Sequence, residues 1–167
     1  MLADALARGQ GSLGAHCIHE LWMRGEIGLN VNAALERLWK SAADTIPDWL
    51  PMRHVEWLPL IYRVAGRCRA RARGRSNIYL VLLDYADRDA TDPYGVYVGM
   101  SHYSPAQRFD QHKAGIRAAG SVLRRGLEVL TGPTQHLQQI AHAEAERIEA
   151  QLAELLRAEG LRVQGGH

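Results

Sequence analysis

Residues 77–115 read NIYLVLLDYADRDATDPYGVYVGMSHYSPAQRFDQHKAG, and their reading decides the fold. The first nine are aliphatic and aromatic in the manner of a strand, YGVYVGM repeats that character, and the polar ADRDATDP lies between them. Two adjacent strands with a short loop are most simply an antiparallel hairpin. SPAQ then marks a helix start, with Ser104 as N-cap, Pro105 at the first helical position and Gln107 three residues after the cap. In that register Arg108 and His112 share one face, one turn apart. Phe109 and Ile116 share another, which is expected to face the core.

Downstream, GLEVL offers a third strand through Leu127 and Val129, and Gly132-Pro133 is expected to open a long helix ending near Gly160. Leu137, Ala141, Ala145, Ile148, Leu152 and Leu155 form its apolar stripe. Glu149 falls at the edge of that stripe, where a carboxylate is partly desolvated yet still able to face a cleft.

Upstream, residues 1–75 carry all four tryptophans and read as mostly helical. NVNAALERLWKSAADTI is an amphipathic helix through Val31, Ala34, Leu35 and Leu38, with Asn30 or Asn32 as N-cap. Pro47, Pro51 and Pro59 break the next stretch into turns and one short helix. In RVAGRCRARARGRSN, arginine alternates with small residues and supplies no apolar face. Arg67, Arg69, Arg71, Arg73 and Arg75 are candidates for phosphate contacts, which are electrostatic and insensitive to base sequence, or form a solubilising linker. Lys113 joins the candidate nucleic-acid contacts. The domain boundary is placed between residues 75 and 76.

Of the 167 residues 47% are hydrophobic and 23% charged, a balance that excludes wholesale disorder. The longest apolar run, Ile78–Leu83, is far short of the roughly 20 residues that cross a bilayer. No basic segment followed by an apolar one opens the chain, so the expected location is cytoplasmic. Cys17 and Cys68 form no Cys-x-x-Cys pair, and are read as buried thiols. His16, Cys17, His19 and Glu20 match no zinc spacing and read as a helix start of mixed polarity.

The ordered set NIY at 77–79, YVG at 97–99, Arg108 and His112 in the next helix, and Glu149 in AERIEAQL resembles the GIY-YIG nuclease superfamily. The likeness covers residues 77–167. It implies an α+β fold in which a small three-stranded antiparallel sheet is flanked by helices, here after a mostly helical N-terminal region. It also implies hydrolysis of a phosphodiester, in DNA ahead of RNA, with one Mg2+ or Mn2+ ion held by Glu149. Tyr79 and Tyr97 would sit side by side and position or deprotonate the attacking water, and Arg108 would brace the scissile phosphate with His112 beside it. Three features depart from the pattern: Asn77 stands where glycine is usual, the hairpin loop is long, and the asparagine common near the domain's end has only Gln164 or His167 near its place. A nucleic-acid-binding module of the same fold without cleavage is the alternative from another functional class.

Overall fold

In the computed structural model, which describes residues 1–26, 30–42 and 45–167, the apolar run after Arg75 becomes the central strand of a four-stranded sheet. Strand β1 (Arg73–Asp84) is buried without interruption from Ser76 to Leu83, so both of its faces are covered. It pairs antiparallel with β2 (Tyr94–Ser101) on one side and with β3 (Gly126–Val129) on the other. A fourth strand, β4 (Val163–Gly165), runs parallel to β2, and the order is β3-β1-β2-β4. The sheet is therefore mixed and four-stranded, where three antiparallel strands were expected. β4 is only three residues long and ends at Gly165, with Gly166 following, and these glycines carry no strand signal; pairing to β2 alone defines it.

Side chains alternate across the sheet. One face carries Tyr79, Val81, Leu83, Tyr85 and Tyr97 in a single buried cluster with Val122, against which Phe109 and Ala119 pack. These last three residues come with α5 (Pro105–Lys113), α6 (Gly120–Arg125) and the loop between them. The alternate residues Ile78, Leu80 and Leu82 point to the other face, which faces α7 (His142–Ala158). Each such side chain withdrawn from water contributes about 1.5–3 kcal/mol.

Three further expectations change. A 3-10 helix over Gly132–Leu137 stops before α7, because Gln139 takes a left-handed φ of 55° and Ile140 bridges to Arg73 and Ser76 of β1. Leu137 and Ala141 therefore lie outside the helix, whose buried stripe is Ala145, Ile148, Glu149, Leu152, Ala153 and Leu156. Leu155 is only half-buried. Ile116 is 56% exposed, since α5 ends at Lys113 and cannot carry the face that far; Phe109 alone reaches the core.

The chain divides into two units, Met1–Leu60 and Ile61–His167, so the expected boundary after Arg75 falls inside the second, within β1. In the first unit, α1 (Leu2–Ala7), α2 (Gly11–Arg24) and α3 (Val31–Ala42) pack around Leu6, Ile18, Leu35 and Leu38. Asn30 Oδ1 accepts the N–H of Ala33, which makes Asn30 the capping residue. Trp22 is buried, its indole N–H donating to the Val55 carbonyl at 3.1 Å, whereas Trp39, Trp49 and Trp57 are half-buried. The rings of His16 and His19 lie 4.8 and 5.2 Å from that of Trp49, so aromatic packing accounts for this pair. Helix α4 (Leu58–Ala65) carries the chain across the division. No helix among the described residues is long and apolar enough to cross a membrane.

Candidate active site

The β1–β2 register sets Tyr79 opposite Gly99 and Val81 opposite Tyr97, so the two phenols lie diagonally on one face with ring centroids 6.0 Å apart. Gly99 makes this possible. A Cβ there would stand 2.6 Å from Cζ and Oη of Tyr79 and 2.7 Å from Cε1 of Tyr97, closer than carbon and oxygen atoms tolerate.

Helix α5 brings His112 onto the same rings. Its capping box is complete: Ser104 Oγ accepts the Gln107 N–H at 3.2 Å, and Gln107 Oε1 accepts the Ser104 N–H at 3.1 Å. His112 is 1% exposed, and its ring centroid is 6.1 Å from Tyr79 and 5.8 Å from Tyr97. The Ala119 backbone N–H donates to His112 Nδ1 at 3.0 Å. Burial first, and Arg108 second, lower the imidazole pKa to about 4, so the ring is neutral. With Nδ1 accepting, the single ring proton sits on Nε2, which donates to Tyr79 Oη at 2.9 Å. The Tyr97 ring lies beside that of Tyr79, whose hydroxyl opposes the rise in Tyr97's pKa. His112 thus fixes Tyr79, and both rings lie against that of Tyr97.

Burial holds both phenols above their ordinary pKa, so both are protonated at neutral pH. The Arg108 charge works against that rise at each of them. Its guanidinium is anchored: Nη1 donates to the Ile116 carbonyl and to Gln111 Oε1 at 3.2 and 3.1 Å, and Nη2 to the Arg117 carbonyl at 2.7 Å. Arg117 adopts φ 45° to present that carbonyl.

Glu149 is 6% exposed on the inner stripe of α7, further inside than the edge position expected. Desolvation pushes its carboxyl pKa up to about 7, against a hydrogen bond from the His167 backbone N–H. Gly165 lies against the Tyr97 ring and Gly166 near the Glu149 carbonyl, so the chain end links α7 to the Tyr97 edge of the sheet, and the Glu149 charge adds to the rise in Tyr97's pKa. Gly165 and Gly166, at φ 82° and 78°, turn the chain back past Val98 and Ala153 to supply that N–H. The structure therefore brings Tyr79, Tyr97 and His112 into one cluster, with Arg108 on the helix that carries His112, whereas Glu149 comes from α7, which packs on the other face of the sheet.

The candidate nucleic-acid contacts separate into groups. Arg67, Arg69, Arg71, Arg73 and Arg75 are all exposed. Arg75 lines a cleft of about 430 Å³ with Asn77, His102 and Ser104 at the start of α5, and Arg71 and Arg73 line another of about 440 Å³. Lys113 is engaged otherwise. Its ammonium donates to the carbonyls of Leu123 and Gly126, both at 3.2 Å, and braces α5 against the α6–β3 joint.

Several participants carry no signal in the sequence. The Ala119 N–H and the Ile116 and Arg117 carbonyls are main-chain groups, available to any residue type. Asn77 is a second case: its Nδ2 donates to the Tyr103 carbonyl and its Oδ1 accepts the Gln139 N–H, both at 2.9 Å. It ties the loop entering α5 to the kink before α7, a role glycine has no side chain to fill.

No family model matches the chain, and no curated protein or solved structure matches it.

Proposed function

We propose that the chain is a metal-dependent endonuclease that hydrolyses phosphodiester bonds, in DNA ahead of RNA, with the chemistry carried by residues of the second unit. The observation that supports this best is the buried cluster in which His112 holds Tyr79 and both rings lie against Tyr97, with an anchored guanidinium on the same helix as His112 and a buried carboxylate on α7. Packing alone does not require a histidine tautomer set by one backbone N–H, or a carboxylate buried at the cost of a raised pKa.

Glu149 suits a magnesium or manganese ion by the chemistry of its donor atoms. It is a hard oxygen ligand; among the described residues no group of three or more His, Cys, Asp or Glu is assembled, so water and substrate oxygens would have to complete the shell. Magnesium keeps several waters and commonly takes one or two carboxylates, with substrate oxygens completing the shell. Such an ion supplies charge stabilisation at the phosphoryl oxygens and a more acidic bound water.

The protein's own groups do the rest. Arg108 offers positive charge that needs no reorganisation as the non-bridging oxygens become more negative. Tyr97, protonated at neutral pH, supplies a hydroxyl that orients a water. Neutralising the Glu149 charge removes one cause that raises Tyr97's pKa and brings the phenol nearer to service as a proton acceptor. His112 does not accept a proton at Nε2 in this arrangement; it holds Tyr79 in place.

The test is cleavage of labelled single-stranded, duplex and branched DNA and of RNA by the full-length protein, in magnesium and in EDTA. Products are expected in magnesium only, and Arg108→Ala and Glu149→Ala are each expected to lower the rate at least 100-fold with the fold intact. Undiminished cleavage by either purified variant rejects the assignment. A gel shift with no products under any condition favours the non-cleaving nucleic-acid-binding module.

A further inference from the structure

Arginines that are far apart in sequence converge at the other end of the tyrosine face. A cleft of about 630 Å³ is lined by Arg88 from the hairpin loop, Arg124 and Arg125 from α6, and Arg162 beside β4, around the ring of Tyr85. The guanidinium carbons of Arg125 and Arg162 lie 4.4 and 4.6 Å from the centre of that ring, which is itself 5% exposed. Two cations on one ring are held in place by other groups. Arg125 forks onto Asp87 at 2.6 and 3.1 Å and reaches the Asp84 carbonyl; Arg162 donates to the carbonyls of Asp92 and Tyr94. Asp89, the carboxylate in the lining, is engaged by the N–H and hydroxyl of Thr91 and the N–H of Asp92. Arg88 and Arg124 are exposed and donate no side-chain hydrogen bond among the described residues.

We infer that this cleft is a second phosphate subsite, which grips the backbone of a nucleic-acid strand some nucleotides away from the bond to be cut. The inference rests on the nuclease reading for its direction along the strand. Its position is set by the sheet: Gln164 also lines the cleft and stands in register with Tyr97, while Tyr85 shares a buried cluster with Tyr79 and Tyr97. Tyr85 follows the last residue of β1 and is four residues beyond Val81, the partner of Tyr97, or about 13 Å at roughly 3.3 Å per residue. A duplex strand advances about 3.4 Å per nucleotide along the helix axis, so the cleft lies within about four nucleotides of Tyr97. The chemistry is that of a phosphate and not of a base. The ring is buried under guanidiniums and presents no free face for stacking, whereas two unengaged guanidiniums are suited to paired contacts with phosphate oxygens.

The test uses the full chain in EDTA, where binding is read without cleavage, with a fluorescein-labelled oligonucleotide followed by anisotropy across a salt series. For Arg88→Gln/Arg124→Gln the dissociation constant is expected to rise at least ten-fold. The slope of log K against log salt is expected to become shallower by about 1.8, or about 0.9 per lost phosphate contact. Inorganic phosphate and a mononucleotide are titrated in parallel by calorimetry. An unchanged oligonucleotide affinity overturns the inference, and so does a variant that loses only the free anions, since the cleft is then a small-anion site. If the wild type cleaves while variant binding is unchanged, the cleft fails and the nuclease stands. If nothing cleaves while binding responds to the variant, the nuclease fails and the cleft stands.

Discussion

A methyl group at Gly99 would meet Tyr79 and Tyr97 at 2.6–2.7 Å, so one of the rings must move if alanine is placed there. Gly99→Ala is expected to destabilise the second unit by about 1–3 kcal/mol, the usual cost of overpacking. It should also slow cleavage at least ten-fold, because the two phenols are displaced from their packed positions; urea denaturation and initial rates check the two effects. Glu149 gives a prediction with a sign. Its carboxyl pKa is raised from 4.5 to about 7, so the stability it contributes is fully present below about 4.5 and lost as pH rises through about 7. His112, lowered from 6.5 to about 4, acts the other way and loses stability as pH falls from 6.5 towards 4. Glu149→Gln is therefore expected to melt about 3–6 °C higher than wild type at pH 8 in EDTA, a gain that fades at pH 4.5, and to lack metal-dependent cleavage. Thermal denaturation at the two pH values checks it, and a lower melting temperature at pH 8 would contradict it. The five side chains of this site were legible in the sequence because residue type, order and helical spacing mark them. The arginines of the distal cleft were not, since positions 88, 124, 125 and 162 form no local pattern.

Helix α5 carries both Arg108 and His112, and its start was written in SPAQ. Ser104→Ala removes the acceptor for the Gln107 N–H and half of the reciprocal cap, at about 1 kcal/mol. Cleavage should fall less than ten-fold, since Phe109 and the Lys113 brace still hold the helix. Chemical denaturation and single-turnover rates test both parts, and a loss as large as that of Arg108→Ala would show that the cap does more than start the helix. The C-terminal helix teaches the converse. Its 3.6-residue period runs back to Leu137, yet the helix begins at His142. Asn77 Oδ1 takes the Gln139 N–H and the Gly74 N–H takes the Gln139 carbonyl, so partners on β1 outcompete the helical ladder. No proline or glycine announces that break.

At the scale of the molecule, the division at Leu60/Ile61 changes which fragment can stand alone. Cutting at residue 76 removes the first three residues of β1. It also removes the Arg71 and Ala72 N–H groups that Glu144 accepts at 2.8 and 2.7 Å, and the Ala65 and Cys68 carbonyls near His136. A fragment of residues 61–167 is expected to unfold cooperatively, and one of 76–167 to melt at least 10 °C lower or to lack a cooperative transition; circular dichroism on both decides it. Comparing 61–167 with the full chain on the substrate panel then measures what the first unit adds.

The sequence by itself determined the local features: the hairpin strands, the capped helix, and the residue types and order of two tyrosines, an arginine, a histidine and a glutamate. Each depends on propensity or spacing within a few residues. The tertiary structure alone decided the parallel fourth strand, the late start of α7, the tautomer of His112, the depth of Glu149 and the gathering of four arginines about Tyr85. These are set by main-chain partners and burial contributed from distant segments, and a one-dimensional pattern does not record them.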